Sequence, residues 1–346
     1  MNNYYNKIYS NYKFSVRNYD SNSKSLYWDK SIKKKSNLFH IKSLKNFRSN
    51  NLSKNIDDFY LDKKFMKMMY SDLKKDCGKK FLEKFLISKN IGNAKKIIKI
   101  NNKFVTASDL FHIKYIYEVS QKLKLQKINT VCEIGQGFGL LASKLLKLKN
   151  YKMILIDLPE SNFITAYFLK KNFPKKRIII DSDLDNNILS RASLKKGDIF
   201  IISPWIKLKN FKIDFFINSR SMMEMNLQSI KQYFEFIHSK VKKNGYFLCI
   251  NRYYKDLVGY PIEFHRYPFK DMWKKIISNS SWKQPHTHFL LVKKVSKNKS
   301  DIRSTLLDIK KIYLKVVKKD SFFFRRWLPI DIYRYYKIVK NFIFKI

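Results

Sequence analysis

The sequence predicts an α/β fold built on an open, mostly parallel, doubly wound sheet. The first observation is a strand, a glycine-rich turn and a helix in immediate succession, VCEIGQGFGLLA at 131–142. The second is another apolar strand, MILID at 153–157, which ends on an acid. The third is the alternation of short apolar runs with helical periods further along, which is typical of parallel sheets covered on both faces. A helical N-terminal region and a helical C-terminal tail complete the predicted architecture.

The turn after the first strand suits close contact with a ligand. Glycine accepts positive φ and lets a bound group lie against the backbone, and the free N–H groups of the next helix point to the same place. The spacing E-x-G-x-G-x-G is formed by Glu133, Gly135, Gly137 and Gly139. Asp157 follows Gly135 by 22 positions. In a nucleotide-binding βαβ unit, an acid at that place holds the ribose hydroxyls.

An acid ahead of the first glycine discriminates between two cofactor classes. Dinucleotide enzymes place a pyrophosphate on the helix N-terminus, and a neighbouring carboxylate would repel it. Glu133 stands at that position. A carboxylate there suits a cationic ligand that carries an amino acid group, such as S-adenosylmethionine. The pattern looks like the class I methyltransferase signature, although a buried turn in an unrelated α/β protein remains the alternative.

Composition bounds the class of protein. The chain has 346 residues, of which 45% are hydrophobic, so it can bury a core as two domains or as one decorated domain. Its formal net charge of +45 suggests nucleic acid or an anionic membrane as a partner. Lys, Asn, Ile, Tyr and Phe are abundant together, however, and these residues share A/T-rich codons. Charge is therefore a weak guide to function here.

Cysteine usage and the N-terminal sequence predict a cytoplasmic protein. Cys77, Cys132 and Cys249 form no C-x-x-C pair or Cys/His cluster, so we expect reduced thiols and no metal site. The N-terminus lacks the apolar core of a signal peptide, and no run approaches the roughly 18 apolar residues that span a bilayer. The dense acids at 181–185 fit a solvated turn better than a set of metal ligands.

Four segments follow from changes in composition and period. Residues 1–60 are rich in Asn, Ser, Lys and Tyr and are predicted to be irregular or partly disordered, although aromatic residues such as Trp28 could dock on the core. Residues 61–105 show helical spacing and are predicted to form a helical lid. Residues 106–295 form the predicted methyltransferase domain, and residues 296–346 a basic, aromatic helical tail.

Local signals place the elements of the central domain. Ser108 is predicted to cap a helix that leads into the first strand. Pro159 suits the first position of the helix after the second strand. Of two short strand candidates, 177–180 and 198–202, the second is favoured as the third parallel strand. Later elements are a strand at 212–218, a helix stopped by Asn244-Gly245, and strands at 246–251 and 288–292.

Polar residues at strand ends are the candidates for chemistry. In open α/β sheets the ligand sits beyond the C-terminal ends of the strands, and those ends carry Glu133, Asp157, Glu224 and Asn251. Glu224 stands between Met223 and Met225, and a partly desolvated acid there could act as a general base. For Asn218 and Ser221, capping of a following helix is an equal alternative.

In combination, these runs resemble the sugar O-methyltransferase family, bacterial enzymes associated with surface-polysaccharide synthesis. The resemblance covers about residues 90–292 and rests on VCEIGQGFGLLA, LIDLPE, INSRSMMEM, QYFEF and YFLCINRYY. It implies an S-adenosylmethionine-dependent O-methyltransferase acting on a sugar hydroxyl of a glycan precursor. The implied cofactor contacts are Glu133, Gly135, Gly137, Gly139 and Asp157. Glu224 is implied to lie near the acceptor.

Methyl transfer to a hydroxyl needs in-line approach and, usually, removal of the hydroxyl proton. Histidine is the common base at neutral pH. His265 is the first choice, because its loop follows the strand that carries Asn251, and His286 is the second. An exposed loop histidine without a catalytic role is the alternative for His265.

Two other functions stay open from the sequence alone. A nucleic-acid-binding methyltransferase would account for the positive charge. Methyltransferases that act on the amino groups of bases typically carry an Asn/Asp-Pro-Pro-aromatic motif after the fourth strand, whereas residues 218–221 read NSRS. The other alternative is a non-catalytic partner in glycan synthesis that keeps the fold.

The C-terminal tail predicts a peripheral contact with an anionic membrane. Residues 296–346 carry 14 Lys and Arg against 4 Asp and Glu, which gives a net charge of +10. After Pro329, apolar residues from Ile332 to Ile346 share one helical face opposite basic residues. Such a helix fits the headgroup layer of the inner membrane, and packing on the core is the alternative.

Overall fold

The computed structural model describes residues 2–18, 25–50, 62–256 and 258–318. The helices are α1 (Asn2–Arg17), α2 (Leu26–Lys33), α3 (Lys63–Cys77), α4 (Lys79–Phe85), α5 (Ala107–Ser120), α6 (Leu140–Leu148), α7 (Pro159–Asn172), α8 (Arg191–Lys196), α9 (Leu227–Lys240) and α10 (Ile302–Tyr313). The strands are β1 (Ile98–Ile100), β2 (Lys103–Val105), β3 (Thr130–Ile134), β4 (Lys152–Ile156), β5 (Ile178–Ile180), β6 (Ile188–Ser190), β7 (Ile199–Ile202), β8 (Lys207–Lys209), β9 (Ile213–Ser219), β10 (Val241–Arg252), β11 (Tyr254–Lys255), β12 (Ile262–Glu263), β13 (Trp273–Ser281) and β14 (Gln284–Lys294).

Eight of these strands form the central sheet, in the order β5-β7-β4-β3-β9-β10-β14-β13. The strands from β5 to β10 are all parallel, whereas β14 runs antiparallel to both of its neighbours. The chain moves from β3 outward to β4 on one side and returns later to β9 on the other side, so the strand order reverses next to β3. The prediction of a Rossmann-like α/β fold with a mostly parallel, doubly wound sheet is confirmed.

Helices cover both faces of the sheet, as the apolar strands require. Phe215 and Phe216 are neighbours on β9 and point to opposite faces. Phe215 packs in the layer that contains α1 and α3–α7, and Phe216 packs in the layer that contains α9 and α10. Ile199–Ile202 is buried throughout and lies beside β4, as favoured from the sequence. The other candidate run, Ile178–Ile180, is also a strand and lies at the sheet edge.

The N-terminal segment differs from the prediction of an irregular chain. Asn2–Arg17 is a helix that packs along α7, with the Tyr12 and Phe163 rings 5.2 Å apart between centroids. Ile8 on the same face is fully buried, and Ser15 donates to the Asp181 carboxylate at 2.6 Å. Aromatic rings with polar tips form this buried stripe, so it is poorly visible in a composition dominated by Asn, Lys and Tyr.

Several predicted boundaries also need correction. Thr106, not Ser108, caps α5, because its side chain forms a capping box with Asp109. Helix α9 ends at Lys240 instead of at Asn244-Gly245, because the chain already enters β10 through a bulge. The strand β13 and the hairpin of β1 and β2 were missed, because β13 has only three apolar residues among nine and β1 and β2 are three residues long each.

The tail is described only up to residue 318. Its helix α10 packs on the second layer of the core through Ile302, Ile309 and Tyr313, which are buried. The predicted amphipathic face from Ile332 to Ile346 lies outside the described residues, so the membrane contact stays a prediction. Within the part of the chain that the structure describes, every helix is too short or too polar to cross a bilayer.

A buried ion pair joins three helices behind the glycine turn. Lys144 on α6 is wholly buried, and its ammonium pairs with the Asp109 carboxylate of α5. The same ammonium donates to the Phe85 carbonyl at the end of α4, at 3.0 Å. Burial raises the pKa of Asp109, but the charges of Lys144 and Arg48 outweigh it, and the pKa falls to about 2. The carboxylate therefore stays ionised inside the fold.

We expect Lys144→Met to lower the free energy of unfolding by about 3–5 kcal/mol at pH 7, because it leaves the Asp109 carboxylate buried without its cation. In the variant, which lacks the lysine, burial raises the pKa of Asp109, so the carboxylate takes up a proton as the pH falls. The loss of stability should therefore shrink towards pH 4. Urea unfolding at both pH values measures this. Lys147→Met is the matched control on the same helix, because Lys147 donates only to the carbonyls of Phe85 and Leu86. Equal losses of stability in both variants would contradict the role of Lys144 as the counterion of Asp109.

Candidate functional site

A cavity of about 290 Å³ lies beyond the C-terminal ends of β3, β4 and β9, where the strand order reverses. The structure brings most of the predicted site residues together in its lining, namely Glu133, Gly135, Gly137, Asp157 and Glu224. The remaining walls come from α2, α5 and α9. Ligands of open α/β sheets bind in this crevice, so the cavity is the candidate site.

The glycine turn adopts a conformation that only glycine adopts without strain. Gly135 and Gly137 have φ of 71° and 61°. The Gly135 N–H donates to the Ile156 carbonyl at 2.8 Å, which ties the turn to the neighbouring strand. A Cβ on Gly135 would lie 1.9 Å from the Ser221 hydroxyl oxygen. The turn is therefore pressed between two strand ends, with its backbone facing the cavity.

Asp157 is fixed by the glycine turn. Its Oδ2 accepts from the Gly137 N–H at 2.9 Å, and its Oδ1 accepts from the Leu158 N–H at 2.7 Å. Burial raises the pKa of this carboxyl to about 7, although both hydrogen bonds oppose the shift. A carboxylate has about four acceptor sites, so Asp157 can still accept hydroxyl donors from a ligand in the cavity.

Glu133 lies next to Asp157 and is more deeply buried, with 2% of its surface exposed. Its Oε2 has no hydrogen-bond partner among the described residues. Burial and the charge of Asp157 together raise the pKa of Glu133 to about 8. Two adjacent buried acids of raised pKa gain most from a bound cation, which would stabilise their ionised forms.

Buried amides hold the ends of β3, β9 and β10 together. The Asn218 side-chain amide donates to the Ile134 carbonyl at 2.9 Å and to the Ser221 hydroxyl at 2.6 Å. The Asn251 amide donates to Asn218 Oδ1 at 2.8 Å, and Asn251 Oδ1 accepts from the Met223 N–H at 3.3 Å. These residues form the frame of the site, and this frame fixes the turn Met222–Glu224 that carries the predicted acid.

Glu224 also lines the cavity. Its carboxylate pairs with the Lys255 ammonium, and the side chains of both residues are about nine-tenths buried. The Lys255 ammonium also lies 5.5 Å from the centre of the Tyr27 ring. Because Glu224 already holds a cation, it is better suited to orienting an acceptor than to taking up its proton.

His265 does not line the cavity, contrary to the prediction that its loop reaches the site. The loop turns towards α10, where the His265 ring lies 5.4 Å from the Tyr313 ring. Its side chain is 10% exposed, with Glu263 3.9 Å away. His286, the second candidate, lies away from the cavity lining as well, and its backbone carbonyl accepts from the Tyr253 N–H at 2.9 Å.

A different histidine, His112 on α5, does line the cavity. Its Nδ1 is buried and has no hydrogen-bond partner among the described residues. Burial lowers the pKa of His112 to about 3, so the ring is neutral at physiological pH. Sequence reasoning missed this residue. The available signal was the pair Ser108 and His112, which stand four residues apart on one face of α5, and both line the cavity.

The outer walls combine aromatic and polar side chains. Helix α9 presents one face, formed at helical spacing by Ser229, Gln232, Tyr233 and Phe236. Ser25, just before α2, adds a polar group to the wall, and Trp28 on α2 adds an aromatic ring. A wall of this kind can bind a molecule that has both apolar faces and hydroxyl groups.

The acids at 181–185 support the fold. Asp181 accepts from the Ser15 hydroxyl and, at 2.9 Å, from the Ser203 N–H, while Asp183 pairs with Lys7 at 2.5 Å. Across residues 2–18, 25–50, 62–256 and 258–318, no three His, Cys, Asp or Glu side chains are grouped as metal ligands would be.

No protein-family model and no curated protein sequence matches the chain. Solved structures of methyltransferases are similar to it. A SAM-dependent methyltransferase from Aquifex aeolicus is 15% identical with a TM-score of 0.37, over 55% of this chain and 94% of that one. Mitomycin 7-O-methyltransferase is 13% identical with a TM-score of 0.36, over 55% and 57%. A glycopeptide N-methyltransferase solved with S-adenosylmethionine is 8% identical with a TM-score of 0.34, over 52% and 86%. These identities and TM-scores carry no information about the substrate of this chain.

We expect Gly135→Ala to destabilise the protein by clearly more than Gly78→Ala. Both glycines have positive φ, but a Cβ at Gly78 meets no atom within 4 Å, whereas one at Gly135 meets Ser221. The Gly78 variant therefore measures the backbone strain alone, about 1 kcal/mol, and the Gly135 variant adds the displacement of Ser221. Thermal and urea unfolding of the two variants test this. Equal losses of stability in the two variants would mean that Gly135 is not in close contact with Ser221.

We also expect a pH-dependent stability difference between the wild type and Glu133→Gln. The folded-state pKa of Glu133 is raised, so its contribution to stability is fully present below about pH 4.5 and is lost as the pH rises through about 8. Glutamine mimics the protonated acid and avoids this loss. Without ligand, the variant should become the more stable protein between pH 5 and pH 9, by an amount on the order of a few kcal/mol. Parallel stability curves over this range would contradict the raised pKa.

Proposed function

We propose that the protein is an S-adenosylmethionine-dependent O-methyltransferase that acts on a sugar hydroxyl of a glycan precursor. The observation that carries the proposal is the pair of adjacent acids, buried Glu133 and half-buried Asp157, beside a glycine turn whose backbone faces the cavity. A dinucleotide would bring its pyrophosphate against these acids, whereas a cation would stabilise them. The two acids therefore favour a cationic cofactor over a dinucleotide.

The residues of the turn fit this cofactor. Asp157 has acceptor sites left for ribose hydroxyls, and Glu133 has an unpaired buried oxygen that suits the ammonium group of the amino acid moiety. Gly135 and Gly137 leave room for close approach to the backbone. When bound, S-adenosylmethionine supplies a methyl group activated by a positively charged sulfur.

For the acceptor, we propose that His112 takes up the hydroxyl proton and that Glu224 orients the hydroxyl groups. His112 is neutral in the fold and has a buried, unpartnered Nδ1, so it can accept a hydrogen bond from a hydroxyl group in the cavity. Glu224 is held in place by Lys255, which leaves its second oxygen as a fixed acceptor. The rings of Trp28 and Tyr233 suit the apolar C–H face of a sugar.

Isothermal titration calorimetry with S-adenosylhomocysteine tests the cofactor assignment. We expect the wild type to bind and Asp157→Ala to bind more weakly by about 1.5–3 kcal/mol, because the ribose hydroxyls lose a charged acceptor. A folded wild-type protein that binds neither S-adenosylhomocysteine nor S-adenosylmethionine would refute the proposal.

Transfer of a radiolabelled methyl group to sugar acceptors tests the base assignment. We expect His112→Ala to slow transfer roughly 100-fold or more while S-adenosylhomocysteine still binds. His265→Ala is the matched control, since His265 packs on α10 away from the cavity. Loss of transfer in the His265 variant alone would restore His265 as the base. Cofactor binding with no transfer in any variant or wild type would favour a non-catalytic partner.

A further inference from the structure

Side chains of both charges lie in and around the cavity. Glu133 and Asp157 are the acids beside the glycine turn. Arg220 follows β9, Arg252 ends β10 and Lys255 lies in β11, and we term these three residues the basic group. Arg220 lines the cavity directly, and Lys255 pairs with Glu224, which also lines it.

The basic group lies next to the Glu224 carboxylate, which pairs with Lys255. The cations are close enough to repel one another, because Arg252 and Arg220 both act to lower the pKa of Lys255, after burial as the main cause. Arg220 also acts, after burial, to lower the pKa of His112, so it lies near the proposed base.

Arg220 adopts a backbone conformation that is unusual for an arginine. Its φ is +64°, in the left-handed region that favours glycine. Its N–H donates to the Ile250 carbonyl at 2.7 Å, which joins it to the end of β10. A glycine would make this turn without strain, so the fold alone does not require an arginine at this position. Strained residues of this kind concentrate at binding and catalytic sites.

We infer that the acceptor is a phosphorylated sugar whose phosphate group binds to the basic group, on Arg220 and Lys255. This inference rests on the proposed function and specifies its substrate class. A guanidinium presents paired donors that match the oxygens of a phosphate group, and a lysine adds a second positive charge. The acids and the basic group then have complementary ligands, a cationic cofactor and an anionic acceptor.

The same chemistry occurs in a free sugar 1-phosphate, in a nucleoside diphosphate sugar and in a sugar attached to a lipid carrier through phosphate. The experiment separates them by using glucose 1-phosphate, UDP-glucose, and phosphatidylcholine vesicles that contain a polyprenyl-phosphate glucose. Methyl glucoside is the neutral reference. Each is titrated into the full-length protein saturated with S-adenosylhomocysteine, whose own binding is measured in the same preparation.

We expect at least one phosphorylated probe to bind at least tenfold more tightly than methyl glucoside. Arg220→Gly should remove most of that advantage, roughly tenfold in Kd, because a charged hydrogen-bond donor is lost. This variant relieves the strained φ, so it should fold with an unchanged or higher Tm. Arg220→Lys keeps the charge and should retain part of the affinity. Arg177→Gly is the matched control, an exposed arginine at the far edge of the sheet.

The outcomes separate this inference from the proposed function. Binding of S-adenosylhomocysteine without any preference for phosphorylated probes overturns the inference and leaves the proposed function standing. An equal loss of affinity for the phosphorylated probe in the Arg220→Gly and Arg177→Gly variants also overturns the inference. Tighter binding of a short RNA than of any sugar phosphate, lost in Arg220→Gly, would replace it with a nucleic-acid acceptor. Absence of S-adenosylhomocysteine binding overturns both.

Discussion

The burial of Glu133 beside Asp157 is the constraint on which the rest of the site depends. Burial holds the pKa of both carboxyl groups well above its ordinary value. Stability of the fold alone would favour neutral residues at both positions. The glycine φ angles and the strand-end amides fix the turns beside these acids.

The local part of the fold could be predicted because its signals lie close together in the chain. The strand, glycine turn and helix occupy twelve consecutive residues, 131–142, and Asp157 follows at the spacing of a βαβ unit. The acid Glu224 was recognisable because two methionines flank it. These residues meet at the strand ends because parallel strands bring their C-terminal ends to one edge of the sheet.

The distant part of the site could not be predicted, because it depends on tertiary packing. His112 reaches the cavity only because α5 packs beside α6, held by the ion pair of Asp109 and Lys144. His265 was a reasonable choice by its distance along the chain from β10, but its loop follows the apolar surface of α10 instead. The N-terminal helix α1 was missed because its buried face is made of tyrosines, which composition alone assigns to a polar segment. In each case a packing partner far along the chain decides the outcome.

The contribution of Trp28 to the cavity wall has a consequence for how specificity is encoded in the gene. The groups proposed to hold the methyl donor lie on β3 and β4, within the most regular part of the sheet, whereas Ser25 and Trp28 come from a segment about a hundred residues upstream. Substitutions in that upstream segment can reshape the cavity wall without changing any residue of β3 or β4. Variation there would alter which molecules fit the cavity while the residues at the strand ends stay the same.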